Sequence, residues 1–301
     1  MTLLGHPSPV TFIVPPFSPA GSVHAEGISL VVKSAAISLA AIVLLAGLPG
    51  CAPATPTGPP PQSFGTSVFA VAAAKHPNEA IDVVFAPDDD YGDMNDVANR
   101  QAFLDDVDGM IQLGFANNQA WSLNAPVVNY WYMTLSGDVQ PGAGSCPSVS
   151  WPNLSDATFA EVIILLHTNP LRDCAWGNRV TSEPTSYRTV VHEASHAVFG
   201  LPDEYCCDGG YWHAPPVMYN AENSCLTDGS NAAWQDCQAL TSSDGDEWWR
   251  SEDGNCDIMN CGSVHVLEYG PADWAVVEGV LSALPNATIS APSVFAPAEW
   301  P

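Results

Sequence analysis

The stretch HEASHAVFGLPDEY, residues 192–205, decides how this chain folds and what chemistry it can support. His192 and His196 are four residues apart, so on an α-helix both imidazoles project from one face. Two imidazole nitrogens on one face can bind a zinc ion at about 2 Å. Glu193 lies at the edge of such a site, where it can accept a proton from a water molecule. The spacing predicts a zinc-hydrolase helix, although five residues of this kind also occur in helices that bind no metal.

Apolar residues recur at helical spacing on both sides of the two histidines. The pattern predicts a helix that begins near Thr185 or Ser186, either of which can cap it, and that ends at Gly200. Pro202 follows just beyond the predicted end. The apolar face consists of Tyr187, Val190, Val191, Ala194, Ala197 and Val198.

A catalytic zinc ion needs a third protein ligand and an open position for water. Because the chain turns at Gly200, a residue shortly after it can return towards the histidines. Asp203 is the first candidate for this ligand, Glu204 the second and His213 the third.

The whole string, His-Glu-x-x-His-x-x-x-Gly-Leu-x-Asp-Glu-Tyr, resembles that of the IgA-peptidase-type bacterial zinc metallopeptidases, which share the metzincin-like zincin fold. Snapalysin-type proteases have a similar string with one residue fewer before the aspartate. The resemblance implies that His192, His196 and Asp203 bind zinc and that Glu193 is the general base.

Two further segments are similar to parts of that family. Residues 257–260, Asp-Ile-Met-Asn, look like a Met-turn, whose methionine would form a polarizable apolar floor under the metal. Met218 is a competing candidate, and Tyr219 next to it could offer a phenol to an oxyanion. The strand and acidic turn at residues 80–90, followed by a helix, are similar to the start of the family's catalytic domain.

The remaining pattern predicts an α+β fold. Strands are expected at residues 80–86, 127–133 and 161–167, with a loop over 136–156. Helices are expected at 95–113, where Val97 is one of the apolar positions, and at 272–284. Some seventy residues after the histidine helix lack a regular pattern and are rich in Cys, Trp, Asp and Gly. Together with the resemblance, this predicts a metzincin-like zincin domain with an active-site helix and an irregular, disulfide-rich C-terminal lobe.

Composition restricts the partners of the protein. The 301 residues include 33 acidic and 7 basic side chains, for a formal charge of −26. Such a surface repels nucleic acid and anionic lipid. The acidic clusters at residues 88–90, 244–246 and 252–257 either bind Ca²⁺ or are solvated loops, and none of them forms a full EF-hand.

The N-terminus predicts export. Residues 34–50 are an apolar run behind Lys33, and they end in a Leu-Pro-Gly-Cys sequence that looks like a bacterial lipobox. We therefore expect a signal and lipobox segment at 1–51, with a possible true start near Val31 and a lipid anchor at Cys51. Plain secretion and an uncleaved membrane anchor are the alternatives. A Pro/Thr-rich linker is expected at 52–67, and a zinc metallopeptidase domain at 68–301.

The cysteines agree with export. Nine are present, and without Cys51 an even set of eight remains, which predicts up to four disulfides. Proximity suggests that Cys146 pairs with Cys174 and that the other six pair among themselves. A zinc–thiolate cluster is the alternative, but it lacks paired Cys-x-x-Cys spacing. The remaining six are Cys206, Cys207, Cys225, Cys237, Cys256 and Cys261.

These observations predict an exported zinc-dependent endopeptidase, either a bacterial cell-surface lipoprotein or a secreted protein. We expect it to be a monomer that acts on a protein or peptide substrate. The alternatives are a non-catalytic surface-binding lipoprotein on a zincin fold and a zinc amidase acting on a non-protein substrate. His167 and His265 are expected to be packed residues rather than ligands.

Overall fold

A computed structural model describes residues 61–205, 211–228, 237–251, 257–260 and 268–289. The predicted signal, Cys51 and residues 52–60 of the predicted linker lie outside these ranges. So do His265, residues 252–256 of one acidic cluster, and Cys206, Cys207, Cys256 and Cys261. Among the described residues, no helix is long and apolar enough to cross a membrane.

The described residues form a mixed α+β structure, as the sequence predicts. Its twelve strands are β1 (Ser63–Phe64), β2 (Val68–Ala72), β3 (Ile81–Pro87), β4 (Val128–Met133), β5 (Asp138–Gln140), β6 (Ser148–Ser150), β7 (Val162–Leu166), β8 (Ala175–Trp176), β9 (Arg179–Ser182), β10 (Met218–Tyr219), β11 (Cys237–Thr241) and β12 (Glu247–Ser251). The helices are α1 (Val97–Gly109), α2 (Gln119–Ser122), α3 (Tyr187–Phe199), α4 (Glu222–Thr227) and α5 (Pro271–Leu281).

The largest sheet has seven strands in the order β1-β2-β4-β3-β7-β9-β8. Strands β4, β3, β7 and β9 run parallel, whereas the outer pairs are antiparallel. Strand β8 is therefore an edge of this sheet. A second sheet has the order β10-β12-β11, and β5 pairs with β6 on its own.

The two central strands explain why the core has two layers. Both β3 and β7 are buried along their whole length, as expected for parallel strands covered on both faces. Alternate residues point to opposite faces. Val83 and Phe85 belong to the core that includes residues of α1, α3 and α5, whereas Val84 and Ala86 pack in a second core on the other face.

Several elements differ from the sequence prediction. Strand β1 lies within the stretch assigned to the linker, where Phe64 packs on Trp131 at 5.1 Å between ring centroids. Val97 is not part of the apolar face, since it is 70% exposed directly after the helix cap Asp96. Strands β5 and β6 occupy part of the predicted 136–156 loop.

The region after α3 is also more regular than predicted, because it contains α4 and the three-stranded sheet. Two disulfides are described. Cys146–Cys174 confirms the pairing suggested by proximity, and Cys225–Cys237 joins two members of the remaining set.

Candidate metal centre

Helix α3 carries both histidines and is fixed at both ends. It begins at Tyr187 with Ser186 at the N-cap, although the Ser186 side chain makes no capping hydrogen bond. It ends at Gly200, which adopts the left-handed conformation (φ 70°) and donates its N–H to the carbonyl of Ser195. This conformation favours glycine, so the chain reverses at the predicted position.

Three donor atoms meet just beyond this turn. Asp203 Oδ1 lies 3.1 Å from His192 Nε2 and 3.3 Å from His196 Nε2. The two Nε2 atoms are themselves 3.2 Å apart. All three side chains are largely buried. The structure thus brings together the three residues that the sequence analysis placed first as ligands.

The hydrogen bonds of the two Nδ1 atoms indicate which nitrogen of each ring is left to bind a metal ion. His192 Nδ1 lies 2.9 Å from the carbonyl oxygen of Ile258, and His196 Nδ1 lies 2.6 Å from that of Leu201. A carbonyl oxygen can only accept, so each Nδ1 carries the proton. When such a ring is neutral, its Nε2 has a lone pair that is free to bind a metal ion. Three lone pairs at this separation repel one another unless a cation lies between them.

The size of the triangle fits a zinc ion. Donors bound to tetrahedral zinc at 2.0–2.1 Å lie about 3.3 Å from one another. The three separations of 3.1–3.3 Å agree with this value. Asp203 Oδ1 is buried, and within the described part of the chain it accepts no hydrogen bond of normal geometry. Burial acts to raise the pKa of Asp203, but the two histidines outweigh it and hold that pKa well below its ordinary value.

Glu193 lies beside this triangle in a different environment. Its side chain is buried, yet it lines two cavities that adjoin the histidines. Burial raises the pKa of the Glu193 carboxyl, and the charge of Asp203 adds to this, against the opposing effect of the two histidines. A carboxylate with a raised pKa is a better proton acceptor, as a general base requires.

The turn at residues 257–260 supports the centre from the other side. Its Ile258 carbonyl orients His192 and also accepts a hydrogen bond from Arg188 Nη2 at 2.6 Å. Met259 is fully buried in the main core. Met218, the competing candidate, packs in a separate small cluster with Tyr211 and Leu240.

The alternative ligands lie elsewhere. Glu204 is buried with Asp257 and Asp273, and the carboxylate oxygens of these three residues lie within 4.8 Å of one another. Its N–H donates to the Met259 carbonyl at 3.1 Å. The residue next to Asp203 therefore belongs to a different group of side chains. His213 is exposed and packs near Tyr219, at 6.1 Å between ring centroids.

Two other sequence candidates also lie outside the triangle. Tyr219 is buried and donates its hydroxyl to Asp228 Oδ2 at 3.1 Å, away from the residues that line the cavities. His167 is fully buried, as expected of a packed residue, with Nε2 3.2 Å from Asp173 Oδ1. The first acidic cluster is partly internal, since Asp88 is buried and accepts hydrogen bonds from the N–H groups of Asp90 and Val139.

A cleft of about 510 Å³ opens onto the triangle and Glu193. Its walls include the Cys146–Cys174 disulfide and residues Ala175 and Gly177 at the β8 edge of the sheet. A neighbouring cavity of about 390 Å³ adjoins His192. Sequence reasoning missed several residues that line the cleft because no motif marks them, among them Arg172, Asp173 and Trp212. Tyr205, which also lines it, ends the motif string but was given no role.

No protein-family model matches this chain, and none of the curated proteins matches it. The resemblance to the IgA-peptidase-type family therefore depends on the string at 192–205, on the turn at 257–260 and on the strand and acidic turn at 80–90.

Proposed function

We propose that this protein is an exported zinc-dependent endopeptidase in which Glu193 is the general base. The observation that carries the proposal is the triangle of His192 Nε2, His196 Nε2 and Asp203 Oδ1. Its edges of 3.1–3.3 Å match the donor spacing of a zinc site.

His192, His196 and Asp203 would hold the metal, and each is oriented by its surroundings. The Ile258 carbonyl fixes the His192 ring and the Leu201 carbonyl fixes the His196 ring. Such partners set the tautomer and raise the basicity of a histidine ligand. When bound, zinc supplies a Lewis acid that polarises a carbonyl and lowers the pKa of a water molecule.

Glu193 is suited to move the proton. It lines the cleft from the turn of α3 that separates the two histidines, and its burial limits competing contact with solvent. The carboxylate would take a proton from the attacking water and later return it to the leaving amine. A protein that only binds a surface partner needs no carboxylate at this position.

The position of the cleft at the edge of a sheet supports a peptide as substrate. Two residues of the cleft wall lie at β8, the edge strand of the seven-stranded sheet: Ala175 belongs to the strand, and Gly177 directly follows it. An edge strand offers unpaired backbone groups with which an extended peptide can form main-chain hydrogen bonds. A substrate bound in this way would cross the cleft in front of Glu193.

The remaining assignments are part of the same proposal. The mixed α+β fold with its active-site helix supports a metzincin-like zincin. The two disulfides indicate an oxidising compartment outside the cytoplasm. We propose a monomer at the bacterial cell surface, anchored through a lipid at Cys51, or else secreted. A structural Ca²⁺ ion at the acidic clusters stays a prediction.

A metal assay paired with peptide cleavage tests the function. Wild type and Glu193→Gln are purified without added metal, analysed for zinc, and incubated with casein and a mixed peptide library. We expect one zinc ion per chain in both proteins and cleavage only by wild type. Wild type without zinc at neutral pH would overturn the site. Zinc without peptide cleavage would favour the surface-binding lipoprotein or the zinc amidase.

A further inference from the structure

Trp212 is an exposed aromatic residue inside the candidate active-site cleft. Its side chain is 39% exposed, although large apolar side chains are usually buried. It lines the 510 Å³ cleft together with His196, Asp203 and Tyr205. Its ring centroid lies 6.0 Å from that of His196, which carries one of the three donor atoms.

The backbone holds Trp212 in this position from both sides. The preceding residue, Tyr211, is buried and donates its hydroxyl to the carbonyl of Tyr205 at 2.5 Å. Two residues later, Ala214 exchanges backbone hydrogen bonds of 2.9 and 3.0 Å with Met218, the first residue of β10. The segment is thus tied to the cleft at one end and to the second sheet at the other. Exposure of Trp212 follows from a fixed backbone.

The cleft around Trp212 has charged as well as apolar walls, since Arg172, Asp173 and Glu193 line it too. The cleft also presents the Cys146–Cys174 disulfide and Ala175, which offer apolar surface. A cationic side chain stacked on Trp212 would lie beside His196 and so be repelled by a bound divalent metal. An aromatic or large aliphatic side chain would cover the exposed ring without that repulsion.

We propose that Trp212 is a specificity-determining residue that forms a subsite for an aromatic or large aliphatic side chain of the substrate, next to the scissile bond. This inference rests on the proposed peptidase function and names its substrate class. Because its ring lies beside the ring of His196, the subsite would receive a side chain close to the bond that is cleaved.

Cleavage of a defined peptide series tests the proposal. Internally quenched peptides carry Ala, Leu, Phe, Lys or Glu at each of the two positions that flank the bond. For wild type we expect kcat/KM to be at least about tenfold higher for Phe or Leu than for Ala at one position, mainly through KM. In Trp212→Ala the Phe/Ala ratio should fall about tenfold, and Trp212→Phe should retain most of it.

Leu226→Ala is the matched control, because Leu226 is an exposed apolar residue of α4 that lines neither cavity. Its side chain is 57% exposed. We expect this variant to keep both the wild-type rates and the Phe/Ala ratio. Zinc content and circular dichroism of each variant show whether the site and the fold are intact.

A binding measurement gives a readout that does not depend on turnover. In the Glu193→Gln background, titration calorimetry compares the Kd of the Phe and Ala peptides with and without Trp212→Ala. The Phe peptide should bind about tenfold more tightly, and only when Trp212 is present. Equal affinities, a preference for Lys or Glu, or a Phe preference that survives Trp212→Ala would each overturn the inference. Cleavage without preference refutes this inference alone, whereas zinc-free protein without cleavage refutes the proposed function as well.

Discussion

Asp203 and Glu204 are adjacent in the chain, yet each joins a different group of three buried residues. Asp203 faces His192 and His196 at 3.1–3.3 Å. Glu204 lies with Asp257 and Asp273, so the acidic side chains of this group are three carboxylates. The first group brings two ring nitrogens and one carboxylate oxygen together, as metal ligands are.

The second group is stabilised by the fold. Asp257 Oδ1 accepts hydrogen bonds from the N–H groups of Met259 and Asn260, the charge of Arg188 acts on Asp257, and Asp273 lies in the first turn of α5. Buried carboxylates therefore have two uses side by side. One belongs to the proposed metal site, and the other lies with the turn at residues 257–260.

The largest difference should appear between two isosteric variants of the adjacent carboxylates. Asp203→Asn removes a ligand charge. Mutation of a residue that only hydrogen-bonds to a metal ligand typically lowers metal affinity about 10- to 100-fold. Because Asp203 is itself a proposed ligand, we expect zinc affinity to fall about 1,000-fold. Glu204→Gln should change it less than about threefold. Competition with a chelator measures both, and circular dichroism checks the fold. If Glu204→Gln released zinc as readily as Asp203→Asn, the contrast between the two groups would be wrong.

A smaller effect should link the two groups through Arg188. Arg188→Met leaves Asp257 without its cation and removes a donor to the Ile258 carbonyl, which orients His192. We expect the free energy of unfolding to fall by about 3 kcal/mol and zinc affinity to fall about tenfold. Chemical denaturation and chelator competition measure the two losses. Arg188→Lys should recover part of the stability, and an unchanged zinc affinity in Arg188→Met would show that the groups are independent.

The smallest effect concerns a buried carboxylate that belongs to neither group. Burial raises the pKa of Asp82 to about 6, although Asn129 and Trp131 donate to its Oδ1. The folded protein then binds this proton more tightly than the unfolded chain, whose carboxyl has a pKa near 3.8. The free energy of unfolding should therefore fall by about 2 kcal/mol as the pH rises from 4 to 7.

Asp82→Asn removes this titration, so denaturation curves of the variant should lose that part of the pH dependence. A wild type and variant with parallel pH profiles would mean that Asp82 is ionised throughout the range. Glu161 is the titrating neighbour to watch, because its carboxylate accepts the Asp82 N–H at 2.7 Å.

The sequence predicted the parts of the fold that depend on local pattern. Strand β7 is an unbroken apolar run and β3 is apolar apart from Asp82, and α3 and α5 have a clear periodicity with Gly200 and Pro271 at their ends. Strands β10 and β12 escaped prediction because they are short or polar, and their pairing depends on partners far along the chain.

The site shows the same contrast between residues set by local pattern and residues set by distant contacts. His192, Glu193 and His196 follow from helix geometry. The choice between Asp203 and Glu204 does not, because it depends on which side chains meet Glu204, and these belong to Asp257 and Asp273, more than fifty residues along the chain. Trp212 was missed for a similar reason, since its place in the cleft depends on the contact between Tyr211 and Tyr205.

The turn at Gly200 has a consequence for how the protein folds. All three donor residues lie within twelve consecutive positions, so closing the loop between them costs little chain entropy. Local contacts of this kind form faster than the long-range pairing of β3 with β7. Zinc in the surrounding medium is therefore expected to be captured early, by a short segment that has not yet met the Ile258 carbonyl. Tight retention would follow later, when residues 257–260 dock against His192, so refolding should show metal uptake in two kinetic stages.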